Sequence, residues 1–304
     1  MSTTREYGAN KWLTALPASP STTLSNEDFA VSLLMHLNIH PDCRKDVIGS
    51  IFSTDFCPAC GSNEALLDNP WHFVGCSELK RAFKDRHDQL VEVMRAHLDR
   101  LNAVVSKEPV GVYDTNRHTA AERGLRPDIK VTLDDKTVLL DLSVTHPLAK
   151  SYVHGASQRK LAAAHEREKV KVKKYVPATE KLHNHSFLPI VFESYGGVAK
   201  DAQNFIKMVA RYADQNSPTD APSSIMASLR NALAITLKKG NAGMLREGLN
   251  HSAVQISAGR VRVASVPSTP RANTRSPFKR CLSKQSTPVR ARSAGRARSL
   301  SLAW

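Results

Sequence analysis

Two carboxylates in this chain stand where a divalent cation could be held. Asp128 lies in Arg126-Pro127-Asp128-Ile129, and Asp141 lies in Leu139-Leu140-Asp141-Leu142-Ser143-Val144. The residues between them, 130–138, read as strand, Asp-rich turn, strand. A hairpin of that kind brings an acid at the start of one strand close to an acid in the middle of its partner. The second acid sits inside an apolar run, where an ionised carboxylate is costly unless something neutralises it. Hard oxygen ligands suit magnesium. The first reading is therefore a metal-dependent site that cuts phosphodiesters, and the plain alternative is two ordinary acids at a strand edge and a strand end.

A second set of ligand-type residues lies upstream. Cys57-Pro58-Ala59-Cys60 is followed by His72 and then by Cys76. A Cys-x-x-Cys turn places two thiolates within reach of one ion, and a His-x-x-x-Cys pair supplies the remaining two corners of a tetrahedron. Thiolate and imidazole in a closed set of four select zinc and imply a structural site. Cys43 and Cys281 have no partners at such spacings. Cysteines used in this way point to a reducing compartment, cytosol or nucleus.

Downstream of Asp141 runs Glu166-Arg167-Glu168-Lys169-Val170-Lys171-Val172-Lys173-Lys174-Tyr175. On a helix, Glu168, Lys171 and Lys174/Tyr175 recur at spacings of three and four and share a face. Such a run usually means a solvated helix laced with ion pairs. Beside two metal-binding carboxylates, one of its lysines could instead hold the attacking water and stabilise charge on a phosphorane-like transition state.

The elements that must position these groups follow from periodicity. Helices are expected over Glu27–Leu37, with Ser25 or Asn26 as cap, over Asp46–Phe52, and over Ser77 to about Val105. Strand signals follow at 110–113, 128–133 and 137–145, then a helix at 156–175, a strand at 187–193, and helices at 198–213 and 223–238. This order describes an α/β core with a mixed sheet. The expected division is a disordered N-terminus (1–25), a short helical segment (26–55), a cysteine-histidine segment with a basic helix (56–105), the α/β core (106–215), C-terminal helices (216–252) and a basic Ser/Pro/Arg-rich disordered tail (253–304).

The formal net charge is +15, and from Gly259 to Trp304 there are eleven Lys/Arg and no Asp or Glu. Counterion release from phosphates is the usual use of such a surplus, which points to nucleic acid, DNA or RNA, as a partner; the plain alternative is a solvated, disordered tail with no dedicated partner. No apolar run reaches the roughly 18–20 residues needed to cross a bilayer, and no protein partner is indicated. The tail's Ser276-Pro277 and Thr287-Pro288 steps, set among basic residues, suit nuclear import. Deleting residues 256–304 without changing localisation would refute that expectation.

Taken together, these landmarks resemble the C-terminal region of site-specific non-LTR retrotransposon reverse transcriptase proteins. There a Cys-Cys-His-Cys zinc knuckle precedes a restriction-like endonuclease similar to the PD-(D/E)-x-K superfamily. The residues that carry the resemblance are Cys57, Cys60, His72 and Cys76; Arg86-His87-Asp88; Arg126-Pro127-Asp128-Ile129; Asp141; Lys171-x-x-Lys174-Tyr175; and Phe187-x-Pro189 running to Glu193 and Gly196-Gly197. It covers about 55–215 and implies a restriction-endonuclease-like fold, with a mixed sheet flanked by helices behind a small helical and zinc-knuckle segment. It also implies magnesium held by Asp128 and Asp141, and DNA nicking that primes reverse transcription in an intact element. Most of that superfamily carries a lysine two residues after the second acid, where this chain has Ser143. The retrotransposon branch resembles a variant with the lysine on the next helix, which implies Lys171, with Lys174 second, Lys160 third and Tyr175 in support. Arg86, His87 and Arg126 would contact nucleic acid, and Asp88 or Glu92 could complete the metal site.

Overall fold

In the computed structural model, residues 8–40, 57, 59–61, 69, 71–216 and 221–257 are described. The helices are α1 (Asn26–His36), α2 (Lys80–Asp99), α3 (Ala120–Arg123), α4 (Val153–Gln158), α5 (Ala162–Thr179), α6 (Lys200–Asn216) and α7 (Pro222–Ser257). The strands are β1 (Val104–Lys107), β2 (Ile129–Leu133), β3 (Lys136–Thr145) and β4 (His185–Glu193). They form one four-stranded sheet in the order β1-β2-β3-β4, antiparallel as far as β3, with β4 parallel to β3. The chain is thus α/β with a mixed sheet flanked by helices.

The period of two along the strands sorts side chains between two layers. Val138, Leu140 and Leu142 of β3 join Ile190 and Phe192 of β4 in the main core, packed with Leu90, Met94 and Leu98 of α2, Phe205 and Val209 of α6, and Leu229, Leu233 and Leu237 of α7. Leu139 and Phe187 point to the other face, where Tyr175 and Ala178 of α5 and Tyr113 pack. A third cluster gathers Val31, Leu34 and Met35 of α1 with Cys57, Trp71, Phe73 and Cys76, under Ala242, Met244 and Leu245 of α7. The single helix α7 therefore spans the sheet core at one end and the cysteine segment at the other.

Local signals explain several boundaries. Ser25 caps α1 by accepting from the Asp28 amide at 3.0 Å, and Glu27 and Asp28 in the first turn suit the helix dipole. Pro189 sits inside β4 opposite Asp141, and an edge strand that pairs on one side tolerates the missing N–H.

Other expectations need correction. Residues 110–113 are not a strand: Gly111 takes φ +72° and Val110 is exposed, while Tyr113 turns into the face beneath α5. The first strand is instead 104–107, because α2 ends at Asp99 and Asn102 adopts φ +56°. The helix expected at 156–175 is two helices broken at Leu161, which takes φ +54°. The helix expected to end at 238 runs on to Ser257. Gly240 and Gly248, poor helix formers, sit where α7 presses on Arg86 and Phe73, and a Cβ there would overlap those side chains. The N-terminal segment, expected to be disordered through 25, is placed from Gly8 onward, with Trp12 buried and edge-on to Phe29 and His36. The helix expected at 46–52, both outlying cysteines and the tail beyond Ser257 lie outside the described residues. No helix among the described residues is long and apolar enough to cross a membrane.

Candidate metal and carboxylate sites

Asp128 precedes the first paired residue of β2, Ile129, and Asp141 follows that residue's partner, Leu140, so the strand register sets the two acids side by side. Asp128 is held by its surroundings: Oδ2 accepts from the Leu142 amide at 2.5 Å, and Oδ1 lies 3.2 Å from His87 Nε2. The hydrogen bond to Asp128 holds the His87 imidazole above its ordinary pKa, against the opposing effect of its burial. Asp141 is on the odd-numbered face of β3, only 3% exposed, with Lys171 Nζ 2.5 Å from its Oδ2.

Lys171 reaches that carboxylate because α5 lies across the odd-numbered face of β3 and β4. Tyr175, one turn further along, stacks on Phe187 at a ring separation of 4.7 Å and donates its hydroxyl to the Arg126 carbonyl at 3.0 Å. That bond ties α5 to the residue pair leading into Asp128. Burial, followed by the charges of Asp141 and Asp128, pushes the Tyr175 phenol up, so it stays a hydrogen-bond donor.

The remaining predicted residues sort plainly. Lys174 Nζ lies over the Tyr175 ring, 4.7 Å from its centroid. Lys160 is exposed and lines an open groove with Arg159, His165 and Lys169. Among the three candidate lysines, Lys171 alone forms an ion pair with Asp141. Arg126 is exposed and lies two residues before Asp128. Glu92 is exposed and paired with Arg95 at 2.6 Å, while Asp88 adds its negative charge beside His87.

Arg86 is not where a phosphate contact would be. It is 2% exposed, and its Nη1 donates to Asn241 Oδ1 at 2.8 Å and to the Val74 carbonyl at 3.3 Å. Burial lowers its pKa to about 9. Arg86 is buried because the long helix α7 covers it, with Gly240 packed against its side chain.

The four cysteine-segment residues converge as their spacing requires. Cys57 Sγ lies 3.8 Å from Cys76 Sγ, Cys60 Sγ lies 3.3 Å from His72 Nε2, and all four ligand atoms fall within 4.8 Å of one another. This Cys3His group could hold a metal such as zinc. The 3-10 turn His72–Gly75 delivers His72 and Cys76 to the same centre. The Cys57–Cys76 hydrogen bond moves the two thiols apart, Cys57 down and Cys76 up, as expected of sulfurs sharing one proton.

Sequence reasoning gave no role to several buried polar groups. Glu193, at the end of β4, accepts from the Ala164 amide at 3.3 Å and so places a carboxylate at the N-terminus of α5. His146 Nδ1 meets Ser194 Oγ at 2.8 Å, and burial pushes this imidazole down to about 3.

A scan of protein-family models and a search of curated proteins give no match to this chain.

Proposed function

We propose that this chain is a metal-dependent DNA endonuclease of restriction-like architecture, derived from the zinc-knuckle and nuclease region of a non-LTR retrotransposon. The observation that carries this reading is the meeting of Asp128, just before β2, Asp141 of β3 and Lys171 of α5 at one place. One acid just before β2 and one on the adjacent strand β3, with a lysine from the crossing helix, support a restriction-like core in which that lysine has left the strand. Ser143, at the strand position, faces the same side as Asp141 and is 8% exposed.

The donor set fits magnesium, since carboxylate oxygens are hard ligands and the two acids are neighbours in register. Asp128 and Asp141 would hold the ion, which when bound supplies Lewis acidity at the phosphate and a more acidic bound water. His87 and the Leu142 amide keep the Asp128 carboxylate oriented. Lys171 supplies a cation at the carboxylates, where charge builds on the transferred phosphoryl oxygens. Tyr175 holds the approach to Asp128 through the Arg126 carbonyl. Arg126, two residues before Asp128, and Lys174, beside Tyr175, are exposed cations that suit contacts to the DNA backbone, which position the substrate without reading bases. A zinc ion in the knuckle would be structural, since all four corners come from the protein.

A plasmid-nicking assay in magnesium tests the reading. Wild type should convert supercoiled to nicked circles, and Asp128→Ala and Asp141→Ala should each lose more than about a hundredfold of that rate. Equal activity in all three, or none in any, sinks it. The second reading is a zinc-knuckle nucleic-acid-binding protein whose nuclease has decayed. It is favoured by the direct Lys171 pairing of an acid that is 3% exposed, which a cation would have to share. Salt-sensitive DNA binding that is equal in wild type and Asp141→Ala, with no nicking by either, would establish it.

A further inference from the structure

Arg86 and His87 are consecutive residues of α2 that look in two directions. The Arg86 guanidinium enters the interior and donates to the carbonyl of Val74, a residue between the ligands His72 and Cys76. His87 turns to Asp128, 3.2 Å away. A single turn of helix thus holds the metal knuckle on one side and a carboxylate of the nuclease site on the other.

The same two regions are joined again through α7. Asn241, the second partner of Arg86, donates through Nδ2 to the Ser194 carbonyl at 2.6 Å. The Ser194 amide donates to Thr145, the last residue of the strand that carries Asp141, at 2.8 Å. His146, bonded to Ser194 Oγ, lies so close to Gly75 that an added Cβ would stand 2.9 Å from its ring. Gly75 directly precedes the ligand Cys76.

Charge adds a reason for the arrangement. No carboxylate among the described residues forms an ion pair with Arg86, although it is 2% exposed. Burying an unpaired guanidinium is expensive. A zinc ion with three thiolates and a neutral imidazole carries one net negative charge, so a loaded knuckle favours this cation more than an empty one does. That difference is what lets one site bias another.

We propose that Arg86 is a positioning residue that couples two metal sites: zinc in the Cys57–Cys60–His72–Cys76 knuckle secures Arg86, and through α2 and β3 this orders the Asp128–Asp141 pair for its divalent cation. The proposal rests on the nuclease reading for the nature of the second site. Linkage makes the coupling reciprocal, so a cation at the carboxylates must tighten zinc by the same factor that zinc tightens the cation.

The experiment uses the full chain, with Mn2+ as probe of the carboxylate pair and a chromogenic chelator competing for zinc. In wild type, saturating Mn2+ should tighten zinc about tenfold, within the usual range of allosteric couplings. Arg86→Met should hold zinc about 10–100-fold more weakly, as for other groups that orient metal ligands, and its zinc affinity should ignore Mn2+. Arg86→Lys, which keeps the charge, should recover part of both effects, and circular dichroism reports whether each variant is folded. Equal zinc affinity in wild type and Arg86→Met, or equal response to Mn2+, overturns the proposal. Paramagnetic resonance separates the two failures: wild type that binds Mn2+ with no change in zinc affinity overturns the coupling alone. Wild type that binds no Mn2+ overturns the nuclease reading and the coupling with it.

Discussion

The two faces of β3 and β4 are made by the same strands and differ in everything else. On the even-numbered face Val138, Leu140, Leu142, Ile190 and Phe192 join apolar residues of α2, α6 and α7 in one core. On the odd-numbered face Asp141, Ser143, Thr145 and Glu193 are all buried polar groups, and the helix across them brings Lys171 and Tyr175. The first face stabilises by removing apolar surface from water. The second spends stability on charges that must find partners inside the protein. A strand can carry both because successive residues point in opposite directions, so chemistry is added without interrupting the core.

Substitutions on the two faces should separate these roles, and the largest effects come first. Lys171→Met leaves Asp141 buried without its cation and should cost about 3–5 kcal/mol in denaturant unfolding. Adding Asp141→Leu to that variant should return stability close to wild type, because replacing a buried ion pair by apolar groups is close to neutral. Leu140→Ala, one residue away on the other face, should cost about 2–5 kcal/mol and gain nothing from a second change at Lys171. A double variant as unstable as Lys171→Met alone would contradict this division of labour.

A smaller effect concerns the polar end of the sheet. His146 is buried and held down to about 3, while an unfolded histidine titrates near its ordinary value of 6.5. As pH falls from 6.5 towards 3, the unfolded chain takes up a proton that the folded chain does not. Stability should therefore fall through this window, by at most about 1.4 kcal/mol per pH unit from this group, and His146→Asn should flatten that part of the profile. Identical acid profiles for the two proteins would show that His146 does not contribute. The smallest change expected is at Tyr175→Phe, which removes the bond to the Arg126 carbonyl but keeps the ring on Phe187. It should cost about 1 kcal/mol of stability. If nicking is observed, the same variant should lower its rate while leaving zinc affinity unchanged.

The legible and illegible parts of this molecule divide by sequence separation. The Cys3His group was readable because its four members fall between 57 and 76 and thiols and imidazoles have few other uses at such spacings. The β2–β3 hairpin was readable for the same reason, as period-two apolar residues flank the Asp134-Asp135 turn. The α4–α5 break was not, because Leu161 at φ +54° has no local signature such as Gly or Asn. Nor was the length of α7, whose glycines argue against a helix locally and are explained only by what packs against them.

By itself the sequence determined the membership of the Cys3His group, the alternation that gives β3 two faces, and the pairing of Asp128 with Asp141 across a tight turn. These depend on residue type and short-range geometry. Tertiary structure alone decided which lysine meets Asp141, since Lys171 and Lys174 share a helix and differ only in what the sheet presents to each. It also decided that Arg86 serves the interior, because a helix beginning more than a hundred residues later covers it and supplies Asn241 as partner. Burial and long-range partners are properties of the packed chain, and no local pattern of residues encodes them.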